Sequence, residues 1–199
     1  EERGLIAELG WVVLREACRT AAQWTVAAGP DRFVLRVNVA ADQLRSQDFA
    51  ERVVATLFEA GFPPSALCLE LTESTLLADP HGSAELFAQL RHSGIGLAID
   101  DFGTGYSSML QLKQLPLTAL KIDRSFVMGL PATSIDRAVV RTAVQLAEAL
   151  GASVTAEGVE THEQVAALVD LGCTRAQGFL LARPEPAADF GRRVVDLIA

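Results

Sequence analysis

Apolar positions recur along the chain at helical spacing, and the helical stretches alternate with short apolar runs. Over residues 5–28, Leu5, Leu9, Val12, Val13 and Ala17 lie on one helical stripe that stops before Gly29-Pro30. Phe33 to Val39 reads as a strand, Asp42 to Ala60 as a helix carrying Phe49, Val53, Leu57 and Phe58, with Gly61 as its stop. Leu67 to Leu71 is a strand, and Leu86, Phe87 and Leu90 mark a helix closed by Gly94. The apolar run Ile95 to Ile99 is a strand that ends at Asp100. A short helix at Ser108 to Gln114 precedes the strand Leu117 to Asp123, and Ile135, Val139, Leu146 and Leu150 carry a long helix stopped by Gly151. Ser153 to Glu157 is a strand, Thr161 and Gln164 form a capping box for a helix ending at Gly172, Cys173 to Leu180 is a strand, and Phe190, Val194, Val195 and Ile198 form a closing helix.

Six strands alternating with helices predict parallel βαβ units, in a doubly wound sheet or a (β/α) barrel. Read at period two, one face of the strands is apolar: Val37 and Val39, Leu67, Leu69 and Leu71, Leu97 and Ile99, Leu120 and Ile122, Val154 and Ala156. The other face places one polar residue near each strand's C-terminal end: Asn38, Glu70, Asp100, Lys121, Glu157 and, with less clean parity, Gln177. A barrel brings such residues to its top face, whereas an open sheet spreads them along an edge, so an α/β fold of TIM-type barrel is expected. A closed barrel of this kind has eight strands and about 250 residues. Six strands in 199 residues predict a single domain, residues 1–199, that is missing about two strands at its N-terminus.

Half of the residues are hydrophobic, enough for one sizeable core. The net charge of −8 excludes the basic footprint that long nucleic acid requires, and an anionic substrate would need metal between it and the acids. Neither a membrane span nor a signal peptide is visible. Cys18, Cys68 and Cys173 form no CxxC pair and read as reduced core thiols of a cytoplasmic protein, although a parent polypeptide could be membrane-anchored.

Asp100-Asp101 opens the stretch Asp100 to Ser108, where two carboxylates meet at the end of a buried strand. Like charges there call for a cation, a shared proton or loop donors, and hard divalent metals suit an all-oxygen site. The plainer alternative is a turn in which Asp101 caps local amides. Plainer readings exist for the others too: Asn38 closing a strand end, Glu70 and Lys121 forming a structural ion pair, Glu157 and Gln177 as turn residues before glycines, and Asp123 orienting the lysine or its loop. His81, His92 and His162 read as solvated, the zinc-protease and kinase patterns are incomplete, and the sequence shows no P-loop.

The segments GLIAELGWVVLREAC, VNVAADQL, LCLELTES, LAIDDFGTGYSSM, LPLTALKIDRSFV, VTAEGVET and LGCTRAQGFLLARP together resemble the EAL domain, the cyclic-di-GMP phosphodiesterase family, over nearly the whole chain. The resemblance implies an EAL-like barrel that holds two Mg2+ or Mn2+ ions and hydrolyses cyclic di-GMP to linear pGpG. It implies that Asn38, Glu70 and Asp100 bind one ion and that Asp100, bridging, and Asp101 bind the second. It further implies that Lys121 and Glu157 position or activate the attacking water with Gln177 in support, and that Glu73 ties down the loop after Asp101. A homodimer and a linked sensor or cyclase-like domain upstream are compatible with it. The family's Glu-Ala-Leu motif, whose glutamate is a further ligand, is expected on a strand before residue 1. Ala40, after the asparagine strand, stands where the family commonly has serine. The chain alone is therefore expected to turn over poorly. The rival expectation is a receptor or scaffold that binds cyclic di-GMP without cleaving it.

Overall fold

A computed structural model of the chain describes residues 2–28, 33–73, 75, 80–105 and 109–198. Gly29-Pro30 and Tyr106 to Ser108 lie outside these, as does the side chain of His81. The elements in order are α1 (Glu2–Ala28), β1 (Leu35–Asn38), α2 (Ala41–Leu44), α3 (Phe49–Ala60), a 3-10 turn (Pro64–Ala66), β2 (Leu67–Thr72), α4 (Pro80–His92), β3 (Gly96–Phe102), α5 (Met109–Gln114), β4 (Ala119–Ile122), α6 (Arg124–Met128), α7 (Ser134–Leu150), β5 (Ser153–Ala156), α8 (His162–Asp170) and α9 (Ala187–Ile198). The strands form a parallel sheet in the order β1-β2-β3-β4-β5, as expected of an incomplete α/β barrel. Two compact units divide the chain, one of residues 1–71, 79–97 and 185–199, the other of residues 72–78 and 98–184. No helix among the described residues is long and apolar enough to cross a membrane.

In the first unit, β1 and β2 pair from Leu35 with Leu67 to Asn38 with Glu70. Helix α1 packs on α2, α3, β1 and α9. Its buried face is Trp11, Leu14, Cys18, Ala21 and Thr25. The stripe that the sequence pattern singles out is the other one: Leu5, Leu9, Val12 and Val13 are each about half exposed or more. The burial follows the large Trp11, whose ring lies 5.3 Å from that of Phe49 and carries the Arg52 guanidinium at 4.1 Å. Gly10 is dictated by a close approach, since a Cβ there would stand 2.1 Å from the buried amide oxygen of Gln43. That oxygen accepts from the Ala40 backbone N–H and so fixes the chain just beyond Asn38.

The helix expected over Asp42 to Ala60 is two helices. Asp48, hydrogen-bonded to Ser46, stands at the start of α3, and residues 45–48 leave helical geometry between them. Phe49, Val53 and Leu57 are buried, while Phe58 is 88% exposed. Cys18 is fully buried, and burial pushes its thiol up to about 11, so it remains protonated at neutral pH.

In the second unit, α7 lays Val140, Ala143, Val144 and Ala147 against β4 and β5. Ala98 and Ile99 pair with Ala119 and Leu120, but Phe102 pairs with Ile122. Three steps along β3 therefore match two along β4, which is a β-bulge at Asp100-Asp101. The extra residue is Asp101, the one non-glycine with positive φ among the described residues, at 54°. Aspartate tolerates this left-handed region better than most residues. The strand expected at Cys173 to Leu180 reduces to one bridge, Ala176 with Ala156. Past it the chain turns at Gly178, which approaches Val159 so closely that a Cβ would sit 2.1 Å from the Val159 carbonyl oxygen.

Candidate active site

At the ends of β1 and β2, Asn38 and Glu70 are register partners. Asn38 is exposed and Glu70 is 4% exposed. Arg36, two residues before Asn38, places Nη1 3.3 Å from Glu70 Oε1 and 3.7 Å from Cys68 Sγ. The register thus sets an amide-bearing residue and a buried carboxylate at neighbouring strand ends.

In the other unit, the Lys121 ammonium lies 2.9 Å from Asp100 Oδ1 and 2.6 Å from Glu157 Oε1, and all three side chains are largely shielded. Asp100, Asp101 and Glu157 each offer a carboxylate oxygen, and these oxygens all lie within 4.8 Å of one another. In a regular strand Asp100 and Asp101 would point to opposite faces; the bulge lets both reach the same group. Burial, and after it the charges of Asp100 and Asp123, push the Asp101 carboxyl above its usual range, with Lys121 opposing. Negative charge is therefore in excess around Asp101. Three clustered oxygen donors and a carboxyl raised by burial and by its acidic neighbours are what a hard divalent cation relieves, so these residues fit such an ion.

Asp123 was undervalued by the sequence pattern. It caps α6, accepting from the Ser125 amide at 3.0 Å and from the Ser125 hydroxyl, and it shares a side-chain hydrogen bond with Asp101. Burial raises its carboxyl, but the bonds from Ser125 outweigh that and hold it below its usual range. The signal was present: Asp123 has the parity of Lys121, and Asp-x-Ser is a helix-start pattern. Arg36 was missed altogether, although a charged residue inside a half-buried strand is itself a signal.

Two turns hold the strand ends in place. The buried Glu73 accepts from Gly103 N at 3.3 Å and Gly105 N at 3.2 Å through the same oxygen, and a Cβ on Gly105 would collide with that carboxylate. Glu73→Ala leaves these amides without this acceptor, and we expect a loss of about 1–3 kcal/mol in stability. Amide exchange at Gly103 and Gly105 should accelerate in the variant; unchanged exchange would remove Glu73 from this role. Glu157 is anchored by its own amide to Ile122 O at 3.1 Å. Gln177 is exposed, and its main chain binds the same turn, donating to Ala156 O at 2.8 Å and accepting from Val159 N at 3.0 Å. His92 and His162 are exposed. The letters Glu148-Ala149-Leu150 do occur in the chain, a triplet the sequence reading overlooks, but they form the last turn of α7, where Glu148 is exposed rather than seated at a strand end.

Parallel strands with an acid–lysine cluster at their C-terminal ends define an α/β fold of the barrel type. The chain belongs to the EAL domain family, which it matches over residues 1–184. It is 44% identical over 187 residues to the bifunctional diguanylate cyclase/cyclic di-GMP phosphodiesterase MucR of Pseudomonas aeruginosa, covering 94% of this chain and 27% of MucR. The solved MucR phosphodiesterase in complex with c-di-GMP superposes with a TM-score of 0.89 over 96% of this chain and 76% of that one. The EAL domain of Mycobacterium smegmatis DcpA superposes with a TM-score of 0.91 at 40% identity, over 97% of this chain and 86% of that one. Klebsiella pneumoniae BlrP1, solved as a manganese/cy-diGMP complex, gives 0.81 at 30% identity over 89% of this chain and 45% of that one.

Proposed function

We propose that the domain to which this chain belongs carries out metal-dependent hydrolysis of cyclic di-GMP to linear pGpG. The observation that carries the reading is the Lys121 ammonium held between Asp100 and Glu157 beside Asp101. The name of MucR and the ligand in its solved complex support the substrate, and the manganese complex of BlrP1 supports a divalent ion. Asn38 and Glu70 are proposed as ligands of one Mg2+ or Mn2+ ion, and Asp100 and Asp101 as ligands of a second. When bound, such ions lower the pKa of a water and neutralise charge developing on phosphoryl oxygens.

The chain's own residues do the rest. Lys121, fixed by two carboxylates, presents a positive charge to a phosphoryl oxygen or to the attacking water. Glu157, anchored by its amide and by Lys121, orients that water and accepts its proton as the new O–P bond forms and the P–O3′ bond breaks, the electron pair leaving on O3′, which takes up a proton from solvent. Gln177 supports the turn that carries Glu157, and Glu73 supports the loop after Asp101. Cyclic di-GMP is the proposed small-molecule partner, in the cytoplasm. A second copy of the domain and a linked cyclase-like domain, as the name of MucR suggests for that protein, belong to the same proposal.

A polypeptide carrying these residues, incubated with cyclic di-GMP and Mg2+ or Mn2+, should release pGpG, and EDTA should stop the release. Tight binding of the dinucleotide with no cleavage under either metal would instead establish a receptor.

A further inference from the structure

We infer that Arg36 is a metal-selectivity residue, biasing Glu70 towards small octahedral ions such as Mg2+ and Mn2+ and against Ca2+. The inference rests on the proposed role of Glu70 as a ligand. Arg36 and Asn38 share one face of β1, and their register partners Cys68 and Glu70 share the matching face of β2. From there the Arg36 guanidinium reaches along the strand pair to Glu70 Oε1, at 3.3 Å, with Cys68 Sγ at 3.7 Å steadying the same nitrogen. Arginine keeps its charge at every working pH, and the pair is part-buried, with the Glu70 side chain 5% and the Arg36 side chain 26% exposed.

A carboxylate oxygen committed to a guanidinium is a poor second ligand for a dication, because the two cations repel across it. Glu70 is thereby restricted to ligation through at most its other oxygen. Mg2+ demands near-ideal octahedral geometry with one oxygen from each ligand group, whereas Ca2+ takes six to eight oxygens and readily uses both oxygens of a carboxylate. Arg36 thus withdraws from Ca2+ a mode of binding that Mg2+ does not use. General repulsion by its charge weakens all divalent ions alike, so the ratio of affinities isolates the geometric effect.

The test is calorimetric titration of the chain with MgCl2, MnCl2 and CaCl2, with no nucleotide present, for the wild type, Arg36→Met and Arg36→Lys, with circular dichroism melts alongside. Arg36→Met should raise the Ca2+/Mg2+ affinity ratio about tenfold. Arg36→Lys, with a point charge in place of the planar fork, should raise it by less. Should the methionine variant fail to fold, the lysine variant decides, since its ratio must still exceed that of the wild type. Ions that bind with an unaltered ratio overturn the role of Arg36. A wild-type chain that takes up none of the three ions overturns the ligand reading itself, and this inference with it.

Discussion

Asp101→Asn is expected to lower cyclic di-GMP turnover by about 10²- to 10³-fold while the protein folds as well as before. The two halves of this result have separate causes. Asparagine is nearly isosteric and is one of the few residues that accept positive φ, so the bulge at 54° survives. Burial, and after it the charges of Asp100 and Asp123, already raise the Asp101 carboxyl, and the neutral amide relieves both, so stability should hold or rise slightly. The measurements are steady-state hydrolysis with Mn2+ and a denaturant titration. Turnover equal to the wild type would remove Asp101 from the metal site.

Lys121→Met is expected to affect both stability and rate. The lysine is the shared partner of Asp100 and Glu157 in a group of shielded side chains, and taking away one partner of a buried ion pair leaves uncompensated charge at a cost of about 3–5 kcal/mol. Methionine keeps most of the aliphatic stem, so the loss reports charge rather than packing. Turnover should fall by about 10²-fold or more. Added Mn2+ should restore more stability to this variant than it adds to the wild type, because an ion that binds only the folded chain stabilises it by mass action, and here it also replaces the lost cation. A variant as stable as the wild type without metal would mean that Lys121 is not what holds the two acids together.

Much of this arrangement is legible in the chain before any coordinates. Asn38, Glu70, Asp100, Lys121 and Glu157 each follow an apolar run, and period-two alternation alone sets them on the polar side of their strands. Helix ends were equally readable at Gly61 and Gly151, both with positive φ, and at the Thr161–Gln164 box. What the letters do not carry is anything set by a second element. The face that α1 buries depends on where Phe49 meets Trp11, and the apolar stripe through Leu5 and Leu9 gives no hint of it. The strand expected at Cys173 to Leu180 has strand-like residues but finds a single bridge to β5, because Gly178 turns the chain onto Val159. Nor does the sequence alone reveal that Lys121 joins Asp100 to Glu157, since three separate strand ends must be in register for it to do so.

The irregularity in β3 has one more implication. Ile99 and Phe102 flank the two aspartates and still match Leu120 and Ile122, so the apolar side of the strand proceeds as if one residue between them did not exist. A lone acid between isoleucine and phenylalanine would make an ordinary ladder, free of left-handed backbone. The supernumerary aspartate doubles the charge that one strand can present at one point, and its carbonyl, which accepts from the Thr104 amide and hydroxyl, opens the turn that follows.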